Sequence, residues 1–497
     1  MTRTADSYIE EYFSSGTIAD LPRDHFIGGA WVAPASGQMM ETFDPGKGRA
    51  YHSFAAGNAE DIERAVKAAS SAEKEWGRMK PSARGAILAK AAELIRKESA
   101  YLAVVESLDS GKPLGEAEGD VGGAARAFEY YAAAANALQG ESFPLGHDYL
   151  GYSQPEPVGI TAHIIPWNFP LSTAARGIAP ALAAGCTVIA KPAETTPLTA
   201  LLLADILFRA GLPAGVCNVV TGTGPEAGAP LVKHRAVRHV TFTGSVPTGI
   251  NVMREAAENV TRVLLELGGK SPVIVLADAD LDAASDGVIG AIYENAGQIC
   301  SAGSRLVVDR RIHGELVERI VAKVETLELG HGLKRSQFGP VNSQLQLDRI
   351  AGHVDRARER GLSIVTGGNK ATDPATGEGW FFAPTIIDNV PADDPAAQEE
   401  IFGPVLVVQP FDDEAEALDI ANGTAFGLVA GIYTSDFSAA HRLARDIDAG
   451  QVFINEYFAG GIEVPFGGNK HSGFGREKGL EAVKAYCRIK SVAARIG

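Results

Sequence analysis

Between residues 59 and 138 apolar side chains recur every three to four positions, as in AILAKAAELIRKESAYLAVVESLD, with charged residues on the other face. That spacing predicts amphipathic helices. From Ile160 the pattern shortens. Compact β-rich runs, ITAHII, TVIA, CNVV, HVTF and PVIVL, alternate with helical stretches such as TALLLADILFRAG. This alternation predicts βαβ units around a parallel sheet: an α/β, Rossmann-like cofactor domain whose ligand lies at the carboxyl ends of the strands. After Cys300 a second alternating set, RLVVD, IHGELVERIVAKVETLE, PVLVVQPF and QVFIN, predicts a second α/β domain. Between the helices and the first βαβ unit, residues 140–159 (GESFPLGHDYLGYSQPEPVG) carry Gly and Pro punctuation and aromatics. They are expected to form a hairpin that leaves the domain body and pairs with another subunit.

A chain of 497 residues is too long for one core, which suits a cleft between domains. The formal net charge of −16 opposes nonspecific attraction to nucleic acid or anionic membrane and favours small-molecule chemistry. Four cysteines, Cys186, Cys217, Cys300 and Cys487, make no CxxC pair and no disulfide framework, so a reducing, cytoplasmic setting is expected. The N-terminal MTRTADSYIEEYF carries charges where a signal peptide needs an apolar segment. The longest low-charge stretch, Ile178 to Ala190, contains Pro180 and Gly185 and falls well short of the about 20 apolar residues a spanning helix needs. The eleven histidines form no HExxH and no Cys/His cluster, so no catalytic metal is expected.

Several residues carry chemistry. Cys300 lies in ENAGQICSAGSR, after a predicted helix and in a Gly/Ser loop, where a thiol can be exposed; the alternative is the small buried hydrophobe that free cysteines commonly are. No histidine is near it in sequence, so a Cys-His hydrolase gains no support. Glu266 ends the β-like run RVLLEL, where desolvation would raise its pKa toward that of a general base; the bland reading is a surface glutamate at a turn. The following GGKS lacks the upstream glycine of a P-loop. Asn168, in Pro166-Trp167-Asn168-Phe169-Pro170, can donate into a crevice where an oxyanion forms, or can cap the next helix. Gly222-Thr223-Gly224 and Gly244-Ser245 with Gly249 each follow a strand, and together they favour a dinucleotide. Lys191 and Glu194 of KPAE follow strand TVIA, where the carboxylate suits vicinal ribose hydroxyls and repels a 2′-phosphate. NAD is preferred over NADP on this ground.

The motifs PWNFP, KPAE, FTGS, ELGGKSP, GQIC, EIFGPV and PFGGNKHSG occur in the order seen in the aldehyde dehydrogenase superfamily, and the resemblance runs from FIGGAWV at 26–32 to KSV at 490–492. It implies an enzyme that oxidises an aldehyde to a carboxylate with NAD. Cys300 would be the nucleophile, Glu266 the general base, and the Asn168 amide an oxyanion donor alongside the Cys300 N–H. The implied intermediates are a thiohemiacetal and then a thioester, hydrolysed by water that Glu266 activates. The cofactor would contact Ile164, Pro166, Trp167, Lys191, Glu194, Gly224, Phe242, Gly244, Ser245 and Leu267, then Glu400 and Phe402, with Gln346 and Arg349 aligned less securely. The resemblance also implies a discontinuous NAD-binding domain (1–138 and 158–266), a catalytic domain (267–468) and an oligomerisation element (139–157 and 484–497). Residues 469–483 would return to the cofactor domain, and the assembly would be a homodimer or homotetramer.

Two departures stand out. Many relatives have Lys where this sequence has Gly177, which puts in doubt a proton relay with Glu477, and Tyr where it has Asn469. Competing readings are a CoA-acylating dehydrogenase, which usually lacks the glutamate matching Glu266, and a silent binding or structural protein on the same fold. For the substrate, Phe169, Tyr457, Phe458 and Phe466 would suit an apolar or aromatic aldehyde. Arg176 resembles an arginine that semialdehyde dehydrogenases use for a substrate carboxylate; alternatively it pairs with a protein carboxylate such as Glu463.

Overall fold

The computed structural model describes residues 3–497. The amphipathic N-terminal stretch forms the helices Ala59–Arg78, Pro81–Lys97, Ser99–Ser110 and Leu114–Ala134. Local chemistry sets their starts. Asn58 accepts from the N–H groups of Glu60 and Asp61 while Asp61 accepts from the Asn58 N–H, a reciprocal cap, and Pro81 occupies a first-turn position where its missing N–H costs nothing. Small side chains such as Ala117, Ala124 and Ala125 let Leu114–Ala134 lie close against Pro81–Lys97 and the later helix Pro170–Ala184.

The strands sort into two large sheets. In the first, Cys217–Val219, Thr187–Lys191, Ile160–Ile164, Val237–Thr243 and Arg262–Glu266 run parallel in that spatial order, with Gly473–Phe474 added antiparallel beyond Arg262–Glu266. These runs are buried on both faces, which explains why they read as near-continuous apolar segments instead of alternating ones. In the second, Thr385–Asp388, Val405–Phe411, Arg305–Asp309, Pro272–Val275, Val429–Tyr433 and Gln451–Ile454 are parallel neighbours. The apolar pattern alone groups PVIVL with the cofactor strands; the structure places it in this second sheet, inside the 267–468 unit that the resemblance implied, after Gly268 and Gly269 carry the chain across from Glu266.

The predicted hairpin forms from Ser142–Phe143 and Tyr149–Pro157, and its long strand pairs along its whole length with Cys487–Arg495. The chain crosses between units once more near its end. Asn469–Lys470 pairs with Phe426–Gly427, and three residues later Gly473 pairs with Glu266. Among the described residues no helix is long and apolar enough to cross a membrane.

Candidate active site

The parallel strands of the first sheet all end on one side, and the predicted cofactor residues lie at those ends. Ile164 and Lys191 close their strands, Pro166 and Trp167 follow the first, and Phe242, Gly244 and Ser245 lead from the third into the helix Val246–Ala257. No side chain caps that helix, so its first-turn N–H groups stay available to an anion. Gly224 opens a short π-helical turn rather than an α-helix. The Leu267 side chain fills the space where Gly249 has no Cβ. Lys191 Nζ donates to the carbonyls of Pro192 at 2.7 Å and Gly222 at 2.8 Å, and stands 3.7 Å from the exposed Glu194 carboxylate. From the second unit, Glu400 accepts from Gly269 N at 2.9 Å, and the Phe402 ring lies edge-on to Trp167 at 5.2 Å. These features form a cradle that fits a dinucleotide: helix N–H groups for a pyrophosphate, a carboxylate for a ribose and an aromatic edge for a flat ring. The Gln346 amide donates to the carbonyls of Ile401 and Phe402 and so braces the loop behind the cradle. Arg349 is exposed on the same helix, Gln344–Glu359.

Cys300 follows an unusual turn in which Asn295 and Ala296 both have positive φ, 48° and 53°. Asn168 fastens this turn from across the cleft. Its Nδ2 donates to the Gln298 carbonyl at 2.8 Å, and its own carbonyl accepts from Asn295 Nδ2 at 3.0 Å. An amide nitrogen has two hydrogens, so one remains for a ligand. The helix-capping alternative fails because Phe169, without a side-chain bond, is the capping residue of Pro170–Ala184. The thiol itself is half-buried, not exposed as its Gly/Ser loop suggested. It lies in the same apolar cluster as Phe169, Tyr457, Phe458 and Phe466, and Tyr457 donates to the Ser301 carbonyl at 2.9 Å.

Glu266 is buried at its strand end, and neither carboxylate oxygen has a hydrogen-bond partner among the described residues. A Cβ placed on Gly467 would lie 2.6 Å from Glu266 Oε1, so the carboxylate fills a notch that only glycine leaves, one residue after Phe466 of the cysteine's apolar pocket. Burial pushes its pKa well up and the nearby Glu477 adds to this, against the opposing charges of Arg176, Arg476 and Lys478.

Arg176 joins the same site through a different partner from the one expected. Its Nε donates to Glu477 Oε2 at 2.9 Å, whereas Glu463 pairs with Arg126. Gly177 is explained by His163: a Cβ there would sit 2.7 Å from the imidazole Nδ1, so the histidine takes the volume a larger residue would need. Asn469 bridges Asp448 and Arg476, at 2.9 Å to each. The sequence reading missed Gly467, whose φ of 155° and backbone approach gave no local signal, and Lys478, which adjoins Glu477 in GFGREKGL.

Burial pushes the Cys300 thiol up to about 12; Arg176 pulls it down, and Glu266, Glu400 and Glu477 oppose that pull. A raised thiol pKa means a neutral SH at neutral pH and a thiolate fraction that grows as pH rises. Iodoacetamide should therefore alkylate Cys300 about tenfold faster per pH unit from about pH 7 to about pH 10. The Cys300→Ala variant serves as blank, because the other three cysteines are buried. A plateau near pH 8 would contradict the burial argument. Among the described residues no group of three or more His, Cys, Asp or Glu side chains could hold a metal ion.

The aldehyde dehydrogenase family model matches residues 31–492. A betaine aldehyde dehydrogenase of Rhizobium leguminosarum is 40% identical over 476 residues, 95% of this chain and 97% of the relative. Among solved structures, an indole-3-acetaldehyde dehydrogenase of P. syringae in complex with NAD+ and IAA has a TM-score of 0.95 and 39% identity, covering 99% of this chain and 100% of that one. The NAD+ complex of an aldehyde dehydrogenase from Bacillus cereus has a TM-score of 0.94 and 39% identity, over 98% of each chain.

Proposed function

Since this chain belongs to the aldehyde dehydrogenase family and oxidises aldehydes with NAD, we propose that Cys300 is its nucleophile, Glu266 the base for hydrolysis and Asn168 the oxyanion donor. The observation that supports this most is a buried carboxylate without a partner on either oxygen, in a notch at Gly467 beside Phe466 of the apolar cluster that the half-buried thiol joins. A carboxylate left so costly to bury has a use for its free lone pairs, and accepting a proton from water is one.

In this reading Cys300 loses its thiol proton to solvent, the small thiolate fraction so formed adds to the aldehyde carbon, and the spare Asn168 N–H and the Cys300 N–H hold the oxygen as it gains negative charge. The nicotinamide, when bound, supplies the hydride acceptor that turns the adduct into a thioester. The helix at Ser245, the Lys191–Glu194 pair, Glu400 and Phe402 would hold that cofactor. Glu266 then takes a proton from water as it attacks the thioester, and the acid leaves with Cys300 restored. A CoA-acylating enzyme would have no use for Glu266 here. Arg176 and Glu477 neutralise one another, so Glu477 is a positioning partner. The test is NADH formation across aliphatic, aromatic and ω-carboxylated aldehydes; failure with every one would refute the reading.

Cofactor choice follows from Lys191. Two of its three hydrogens go to backbone carbonyls and the third faces Glu194, so little of its charge is left for a 2′-phosphate. kcat/KM should be higher with NAD than with NADP, and Glu194→Gln should narrow the gap by about tenfold. An unchanged ratio in the variant would remove Glu194 from the argument. The exposed Phe143, Leu145, Tyr149, Leu150 and Ile489 on the hairpin sheet support a homodimer or homotetramer formed through that sheet. Four free cysteines support a reducing, cytoplasmic setting.

A further inference from the structure

Phe466 carries a cation on each of two approaches. The Arg176 guanidinium carbon and the Lys478 ammonium each lie 5.2 Å from its ring centroid. The two cations differ in what else they meet. Arg176 is bound to Glu477, and Glu463, the other paired carboxylate near Lys478, is taken by Arg126. Among the described residues Lys478 has neither an ion pair nor a side-chain hydrogen bond, although it is only partly exposed and burial brings its pKa down to about 8. Glu477 and Glu266 act on this charge without contacting it, so a positive charge with so little water is costly unless something supplies a direct negative partner.

The backbone makes the same point independently. Lys478 has φ 61° and ψ 173°, a conformation that essentially only glycine adopts. It is held there by the paired backbones of Phe466 and Glu477 on one side and by the Gly479 N–H on the Ile462 carbonyl at 2.7 Å on the other. Glycine would relieve the strain, yet the position carries a long cationic side chain. The acidic residues on the Phe169 side of the pocket do not offset it. Asp120 is paired with Lys112, which stacks on Phe169, and Glu116 accepts from the Asn295 N–H.

We propose that Lys478, not Arg176, is the anion-reading residue of the aldehyde pocket, and that the chain acts on aldehydes carrying a carboxylate at the end remote from the reacting carbon. Phe466 forms the apolar wall between the two ends of such a substrate, and the ammonium binds the carboxylate there. The reading rests on Cys300 as the site of reaction.

The test compares kcat/KM for succinic semialdehyde with that for butyraldehyde, taken as a ratio within each protein so that any general loss cancels. Lys478→Gly should lower the ratio by at least about tenfold, the scale of one charge-assisted hydrogen bond. The loss should appear mainly as a higher KM for the semialdehyde. Lys478→Arg should keep most of the preference. Since glycine suits the backbone at this position, Lys478→Gly should melt no lower than wild type. A ratio unchanged in Lys478→Gly would overturn the proposal, as would a wild-type ratio favouring butyraldehyde. Cys300→Ala separates the two failures. If oxidation of butyraldehyde survives without the thiol, the assignment of the reacting site is wrong; if it needs the thiol while Lys478→Gly leaves the ratio alone, only the anion reading is wrong.

Discussion

Replacing Cys300 by alanine should reduce aldehyde oxidation by at least about a thousandfold while leaving NAD binding intact. The expectation rests on the separation of parts. The thiol projects from a turn shaped by Asn295 and Ala296, whereas the cofactor cradle is built from strand ends and the helix at Ser245. Losing one half-buried sulfur should cost little packing, on the order of 1 kcal/mol, so the variant should fold. The check is steady-state NADH production together with a titration of NAD by tryptophan fluorescence, with Trp167 as the reporter beside Phe402. Turnover near the wild-type rate would remove Cys300 from the mechanism. Loss of NAD binding along with turnover would show that the turn and the cradle are one structure.

Glu266→Gln should split the reaction in two. The burst of NADH from the first turnover should remain, steady turnover should fall by about a hundredfold to ten-thousandfold, and acyl-enzyme should accumulate and be visible by mass spectrometry. The same change bears on stability, and its sign can be worked out. The folded-state pKa of Glu266 lies above the unfolded value, so the folded protein holds this proton more tightly. The resulting stabilisation is fully present below the unfolded pKa and is lost as pH rises through the folded one. Above the unfolded pKa the wild type must either keep this proton or bury an unpartnered charge facing Glu477, and either way its stability falls as pH rises. Glutamine keeps the shape and removes the charge. Glu266→Gln should consequently melt at a higher temperature than wild type near pH 8, with the difference shrinking toward pH 4. Unchanged steady turnover would refute the base assignment, and a lower melting point at pH 8 would refute the account of its burial.

Much of this was legible in the sequence where the governing interactions are local. Buried parallel strands need apolar residues in unbroken runs, and helices that pack on one side need them every three or four, so both unit types could be read. Cys300, Glu266 and Asn168 were found because each ends or follows such an element in a recognisable motif. What a short buried strand does not encode is which sheet it joins, so the apolar pattern alone grouped PVIVL with the cofactor strands while the bound at residue 267 did not. Nor does sequence encode a pairing between Arg176 and Glu477, which are 301 positions apart. Glu463 was the plausible nearby partner only until Arg126 was seen to hold it. Gly177 had meaning only beside His163, and the strained backbone of Lys478 depends on contacts made by Phe466 and Ile462.

The short strand Gly473–Phe474 beside Arg262–Glu266 has a consequence for how the protein is made. Synthesis runs from the N-terminus, so Cys300 and every parallel strand of the first sheet leave the ribosome before this edge strand exists. Until then the Leu265 and Glu266 backbone groups that it pairs with form an open sheet margin, able to bind water or another chain. The same late segment brings Glu477 to Arg176 and Gly467 to Glu266. An interrupted chain thus carries the thiol but neither the notch nor the ion pair around it. The order of synthesis thus puts the surroundings of the thiol after the thiol itself, so the pocket around Cys300 is completed by residues 467–477 long after Cys300 has been made.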